Sequence, residues 1–315
     1  MAGTLTALRL GGLLARRIAL LAVLLALVFV VVEALPGDAA DATAARGESA
    51  ADIARRRVLL GLDQPVVVRF LKWMAGLPTG DLGLSARGEQ VWGILAGPLP
   101  NTLLLGGLAL AITVVASIAL GSWAAMRPGS AADRVISASS TVVLALPEFV
   151  IAVALVLVFA LWAGMLPAAT LAGPDGAPAS WTMLVLPVLA LAIPQIGWNA
   201  RIVRGALGDE ARAPHVTAAV LDGLPPLRVL ARHLLPGALP AIAAGVATST
   251  GMLLGGAVAV ETIFNYPGVG ALLAGAVADR DTPLIAGVVA LTGVMITCVL
   301  LAADLIRSWA AGERR

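Results

Sequence analysis

Lysine is almost missing from this sequence. Lys72 is the single lysine in 315 residues, and it sits in Arg69-Phe70-Leu71-Lys72-Trp73-Met74. A phosphate-cradling P-loop needs a glycine-rich run before its lysine and a Ser or Thr after it, and neither is there. ATP binding by that route is excluded. Cysteine is as scarce: Cys298 is alone, which rules out an internal disulfide, and its apolar surroundings read as those of a small buried hydrophobe. The two histidines, His215 and His233, have no cysteine or further histidine at ligand spacing, so no metal site is expected. Both lie outside the apolar runs, which leaves an intramembrane Ser–His protease without its base. Charge is also low, at 13% of residues against about 25% in a water-soluble domain. With 59% hydrophobic residues and a mean hydropathy of +0.95, there is too little polar surface to coat a globule in water. The solvent must be largely lipid. A formal net charge of +2 gives no sign of a nucleic-acid partner.

What is present is length without charge. Six runs approach the ~20 residues that span a bilayer: Ile18–Leu35, Leu103–Met126, Thr141–Met165, Met183–Val203, Pro240–Val260 and Pro283–Ile306. All are apolar around their circumference and rich in glycine, as membrane helices tend to be. The first is too long for a signal-peptide core, and Glu33 and Pro36 interrupt a cleavage pattern. The expected architecture is all-α, a polytopic integral membrane protein of six helices. Residues 1–98 form an N-terminal region with the first span and an outer segment. Residues 99–315 form a five-helix core that carries a cytoplasmic loop at 209–236.

Arginine placement sets the expected orientation. With the N-terminus in the cytoplasm, the inner segments hold Arg9, Arg16, Arg17, Arg127, Arg134, Arg201, Arg204, Arg212, Arg228, Arg232, Arg307, Arg314 and Arg315, and the short outer loops hold only Arg280. The long outer segment, Pro36 to Pro98, mixes both signs of charge. A short amphipathic helix over Ala44–Leu62, closed by Gly61 as a C-cap, makes it a small folded cap. The spans themselves are nearly free of charge. Glu33, Glu148, Glu261 and Asp304 lie near their ends, which disfavours a self-powered carrier with paired intramembrane charges.

Between the fourth and fifth runs stands Thr217-Ala-Ala-Val-Leu-Asp-Gly-Leu-Pro-Pro-Leu-Arg-Val-Leu-Ala-Arg-His-Leu-Leu-Pro236. Thr217–Leu221 favours helix, Gly223 is placed to cap it, and Pro225-Pro226 can start a second helix that Pro236 stops. Leu227, Leu230 and Leu234, with Val229 and His233, fall at helical contact spacing. The result is a short helix, a turn and a short helix, with the small Ala218-Ala219 and Gly223 permitting close approach of a partner. By spacing alone an ordinary connector fits equally well.

The same residues resemble the Glu-Ala-Ala loop of ABC importer permeases: Thr217-Ala218-Ala219, then Gly223, then His233 and Leu235-Pro236 at the family's intervals. Thr217 stands where that loop has Glu, and His233 where it has Ile. Both departures resemble the dipeptide/oligopeptide/nickel branch, specifically its first permease subunit type. So do Ala34–Ala42, Gly61–Pro65, Gly80–Ser85, Leu99–Leu105 and Val260–Val289. The resemblance implies a multi-pass inner-membrane subunit that is not itself an enzyme and holds no cofactor. ATP and Mg would sit on two cytoplasmic ATPase subunits, beside a second permease and an extracytoplasmic solute-binding protein. It implies that Thr217, Ala218, Ala219, Asp222, Gly223, Arg228, His233, Leu235 and Pro236 seat in a groove of an ATPase. Arg228 and Arg232 either meet acidic ATPase residues or anchor at headgroups.

Other residues carry two readings each. Glu148, after the kink-favouring Pro147, either lines a pathway or is solvated at a helix end. Gln195 and Asn199 share a helix face and either line a pathway or bond a neighbouring helix. Gly251 and Gly255 suit close helix packing, within the chain or with a second permease. Glu261 and Asn265 fall where the family has a re-entrant outer gate, and Asp279–Asp281 reads as a solvated loop tip. The function expected is peptide import. Import of nickel or another metal chelate, a stand-alone carrier or channel, and a membrane anchor are the alternatives.

Overall fold

The computed structural model describes residues 2–34, 38–44 and 48–312. Residues 35–37, which end the expected first span and fall within Ala34–Ala42, lie outside the described residues, as do 45–47 and the expected inner Arg314 and Arg315. Along the chain run α1 (Ala2–Glu33), α2 (Ala39–Ala42), α3 (Ala50–Leu59), α4 (Val66–Gly76), α5 (Val91–Ala96), α6 (Leu99–Met126), α7 (Ala131–Ala145) and α8 (Glu148–Leu155). After a π-helical turn at Val156–Trp162 come α9 (Thr182–Glu210), α10 (Pro214–Leu221) and α11 (Pro226–Val229). A second π turn, Leu230–Leu234, leads into α12 (Leu235–Ile263), followed by α13 (Val269–Ala278) and α14 (Thr282–Gly312). Among the described residues strand pairing is limited to two isolated bridges, Leu84 with Gln90 and Ala172 with Pro178.

Among the described residues five helices are long and apolar enough to cross a membrane: Leu14–Glu33, Leu99–Met126, Thr182–Glu210, Pro226–Ile263 and Thr282–Leu305. The third expected run, Thr141–Met165, is broken. α7 and the helix from Glu148 to Trp162 meet at 104°. The cause is local. A proline pushes the residue before it out of the helical region, and Leu146 is extended at φ −96°, ψ 127°. Pro147 then caps a new helix that starts at Glu148.

Pro236 behaves differently from expectation: it does not stop the helix. Helix continues from Pro226 to Ile263 because the π turn intervenes, with the Leu235 N–H donating to the Leu230 carbonyl one residue further back than in an α-helix. Pro236 then falls in the first turn of α12, where a missing N–H costs little.

The fold gathers into two units. One holds the chain up to Thr102 with Pro267–Thr297; the other holds Leu103–Tyr266 and the chain from Cys298. In the first, Phe29 of α1 packs on Phe70 and Trp73 of α4 with ring centroids 5.3 Å apart, and the Trp73 indole donates to the Leu82 carbonyl at 2.9 Å. Arg69 pairs with Glu33 at 3.0 Å and Arg57 with Asp38 at 2.5 Å. Burial raises the Asp38 carboxyl, but the Arg57 guanidinium and the Asp41 amide outweigh it and hold it below the ordinary range. The segment after α1 is thus folded, with its helix at Ala50–Leu59 and Gly61 at φ +67° after it. Asp281, expected in a solvated tip, is 3% exposed. Its carboxylate accepts from the Ala86 amide at 2.7 Å and the Leu284 amide at 3.1 Å, so one side chain pins the 84–90 turn to the start of α14. Cys298, expected buried, is exposed, as suits a span side facing lipid.

In the second unit α9 is the axis. Two-thirds of its apolar window (67%) is buried, more than in any other candidate span. α9 and α12 form an antiparallel hairpin. A Cβ at Gly237 would fall on the Glu210 side chain, one at Gly245 would lie 2.8 Å from Ile202, and Asn199 reaches Ser249. Positions fall along α9 as they rise along α12, in step. α6 also closes on α9, where a Cβ on Gly121 would come within 2.6 Å of Val203 and 2.8 Å of the Ala200 carbonyl.

Candidate functional site

The hairpin of α9 and α12 is closed by segment 211–235, which contains the candidate coupling residues. α10 begins with Pro214 in its first turn, where proline is tolerated, and ends at Leu221 with Asp222 as C-cap. Gly223 follows at φ +76°, the left-handed conformation that a glycine adopts without penalty. The Gly223 amide donates to the Val220 carbonyl at 3.0 Å and the Leu224 amide to the Ala219 carbonyl at 3.2 Å, a complete Schellman closure. Pro225 then caps α11. The element has its own small core: Val216, Ala219 and Val229 are buried against Ala213, Leu224 and Leu234.

This core divides the expected contact residues. Thr217, Ala218, Asp222, Gly223, Arg228 and Pro236 are exposed, and His233 and Leu235 are half-buried. Ala219 faces inward, because neighbours on a helix point about 100° apart. At Gly223 an added Cβ would meet nothing within 4 Å, so within this chain the backbone conformation demands glycine, not crowding. Leu230 and Leu234 pack against the Val203–Ile242 cluster, but Leu227 stays 73% exposed. With Leu221 at 82% and Val220 at 58%, it gives the element an apolar tip. The sequence reading missed this tip. Part of the signal was there: once positions 216 and 219 face inward, 221 falls on the opposite face of the helix. The two imidazoles lie 6.2 Å apart, and Glu210 lies 3.6 Å from His215 Nε2, yet no group of three or more potential metal ligands forms among the described residues.

A second constellation lies along α9. Gln195 and Asn199 are each 1% exposed. Gln195 Nε2 donates to Glu148 at 3.2 Å, across the break in the third span, and Asn199 Nδ2 donates to Ser249 Oγ at 2.5 Å and to the Gln195 carbonyl at 2.9 Å. Gly256 makes room for Glu148, since a Cβ there would overlap its carboxylate. The amide oxygens Gln195 Oε1 and Asn199 Oδ1 are buried without a partner. The structure therefore brings Glu148, Gln195 and Asn199 together. Glu261 lies further along the same helix, twelve residues beyond Ser249 but five beyond Gly256, where Glu148 sits, about 18 Å and about 8 Å at the helical rise. Glu261 is fully buried, and burial and its charge push the phenol of nearby Tyr266 above its ordinary range. Asn265 is exposed in the left-handed region at φ 49°. Gly251 and Gly255, candidates for close packing, have nothing within 4 Å of an added Cβ; Gly237, Gly245 and Gly256 make the close approaches instead.

One pair escaped the sequence reading. Arg204 of α9 grips Asp133 of α7 with Nε to Oδ1 at 2.5 Å and a second donor to Oδ2 at 2.9 Å. In sequence Arg204 counts only among the arginines of the inner segments. A pair separated by 71 positions leaves no local pattern.

Comparison with known proteins identifies the family. Residues 117–312 match the family described as binding-protein-dependent transport system inner membrane component, and residues 12–106 match its N-terminal membrane component. A probable peptide ABC transporter permease protein of Sinorhizobium fredii is 31% identical over 290 residues, covering 91% of this chain and 93% of that protein. A putative peptide transport system permease protein of Brucella abortus is 32% identical over 294 residues, covering 93% and 94%. The oligopeptide transport system permease protein AppB of Bacillus subtilis is 29% identical over 286 residues, covering 88% and 90%. With its apolar spans and a family match over most of its length, the chain belongs to the inner membrane components of binding-protein-dependent transport systems.

Proposed function

We propose that this chain is one of two permease subunits of an ATP-driven importer of peptides. It provides half of the pathway and takes its stroke from cytoplasmic ATPase subunits. The observation that carries this reading is the capped helix–turn–helix at 211–235, a rigid knob with an apolar tip formed by Leu221 and Leu227. Such a tip has no reason to face water unless a partner covers it. The inner arginines orient it toward the cytoplasm. Thr217, Ala218, Asp222, Gly223 and Arg228 surround the tip, while Ala219, His233, Leu235 and Pro236 hold its shape. ATP and Mg belong to the ATPases, a second homologous permease supplies the other half of the pathway, and an extracytoplasmic binding protein delivers substrate. The names of the Sinorhizobium, Brucella and Bacillus relatives support peptides as the cargo.

The break at Leu146-Pro147 supports the pathway assignment. Irregular backbone at membrane depth survives only against protein or water, and Ala145, Leu146, Pro147 and Phe149 are exposed on this chain. Glu148 lies next to that break and is bonded to the buried Gln195, and Glu148, Gln195, Asn199, Glu261 and Asn265 are the residues we assign to the pathway or gate. The test is affinity purification of the tagged chain from its own membranes, with identification of what accompanies it. A P-loop ATPase and a second six-span chain are expected, and both should be lost in Gly223→Trp. Recovery of the chain alone, under conditions that preserve known complexes, would overturn the reading.

A further inference from the structure

α9 leads directly into the knob, so whatever α9 grips moves with the knob. It grips the two arms of the broken span differently. Against α7 the two helices are zipped antiparallel. A Cβ on Gly197 would lie 3.2 Å from the Ser140 carbonyl, which puts the backbones in close approach there. Seven residues further along α9 and seven back along α7 stands the bidentate Arg204–Asp133 pair, about 10 Å away at the helical rise. Asp133 is fixed on every side. Its side chain is 5% exposed, it accepts from the Gly129 amide at 2.9 Å and the Ser137 hydroxyl at 3.4 Å, and its own amide donates to the N-capping Ser130 at 3.1 Å. Two parallel charge-assisted bonds fix orientation as well as distance. Against α8 the grip is apolar, with Ile151, Ala152 and Leu155 in one buried cluster with Leu184, Leu186 and Val188 of α9, and the Gln195–Glu148 bond at 3.2 Å lies just past the break.

We propose that Asp133 and Arg204 are positioning residues for transport: their ion pair makes α7 part of the lever formed by α9 and the knob, so that the stroke is delivered at the Leu146-Pro147 joint. This rests on the reading of the 211–235 segment as the ATPase contact. A packed pair of helices does not bend continuously, so displacement of the knob is passed to the joint, where the helix is already interrupted. The chemistry of the pair explains why arginine stands at 204: lysine would keep the charge and lose the fork.

The experiment uses the whole importer reconstituted in vesicles, with ATP hydrolysis and uptake of a radiolabelled peptide mixture measured on the same preparation. Asp133→Asn keeps shape and the bond from Gly129. It is expected to assemble with the ATPases and retain basal hydrolysis, while uptake per ATP falls about tenfold, within the usual range of coupling effects. The exchange Asp133→Arg with Arg204→Asp is expected to recover much of the loss. Arg204→Lys, milder, should lie between wild type and Asp133→Asn, and it decides the matter if Asp133→Asn does not accumulate. Uptake per ATP unchanged in Asp133→Asn or in Arg204→Lys would overturn the proposal. So would a loss of assembly and basal hydrolysis in step with uptake, which marks a purely structural pair. A wild-type chain that neither binds an ATPase nor shows ATP-dependent uptake would instead overturn the importer reading, before any variant is compared.

Discussion

Two of the proline-bearing spans of this protein respond in opposite ways. α9 carries Pro187 and Pro194 inside a continuous helix of 29 residues. The third span carries Pro147 and is cut in two at 104°. An interior proline removes one backbone hydrogen bond and crowds the preceding turn in either place. The difference is enclosure. Fourteen residues of α9 are buried, both of its prolines among them, and packing from α6, α7 and α12 holds the helix together across the missing hydrogen bonds. Around Pro147 the chain is open, and no neighbour opposes the extended conformation that the ring imposes on Leu146. A proline therefore marks a joint only where the surroundings leave it one.

The largest effect is expected from breaking the enclosure of α9. Gly121→Leu would drive a side chain into Val203 and the Ala200 backbone, neither of which can yield. A loss of about 3 kcal/mol or more is expected, read as a fall in melting temperature and in folded yield in detergent. Next is Pro147→Ala, which permits helical geometry at Leu146. Spin labels on α7 and α8 should move apart as the bend opens, and uptake should drop about tenfold, or about 1.4 kcal/mol, with assembly intact. An unchanged interlabel distance would mean that packing, not the ring, sets the bend.

The buried Asp281 gives a smaller, pH-dependent effect outside both spans. Burial lifts its carboxyl above 3.8, so the folded chain holds that proton more tightly than the unfolded one. Its contribution to stability should decline as pH rises from 3.8 through the raised value and stay flat above. Comparison of wild type with Asp281→Asn across that range checks the sign. Pro194→Ala sharpens the contrast with Pro147→Ala: stability should change by less than about 1 kcal/mol and uptake little, because α9 is already continuous there. The smallest effect belongs to Cys298→Ala, within about 0.5 kcal/mol, since the thiol is exposed. That variant also supplies a cysteine-free background for the labels.

Much of this was legible in the sequence, for local reasons. Apolar length gave the spans, Gly223 and Pro225-Pro226 gave the turn and restart of the knob, and Pro147 announced a kink. What stayed hidden depends on neighbours. Pro236 carries no sign that a π turn will absorb it. Gly251 and Gly255 look no different in sequence from Gly245 and Gly256, yet only the latter two face another helix closely. Asp281 resembles any loop carboxylate until the Ala86 amide arrives from 195 positions away. Among the candidate pathway residues, the helical spacing of Gln195 and Asn199 was readable, but their link to Glu148 was not.

The knob at 211–235 carries its own fastening: its cap, its turn and its small core are all made within some twenty residues. Such a connector is interchangeable. Its outward residues, Leu221, Leu227 and Arg228 among them, can be rewritten without disturbing Val216, Ala219 and Val229 beneath. If the knob meets an ATPase as proposed, the choice of motor is set on a surface that can be swapped as a cassette, leaving the membrane-buried machinery untouched.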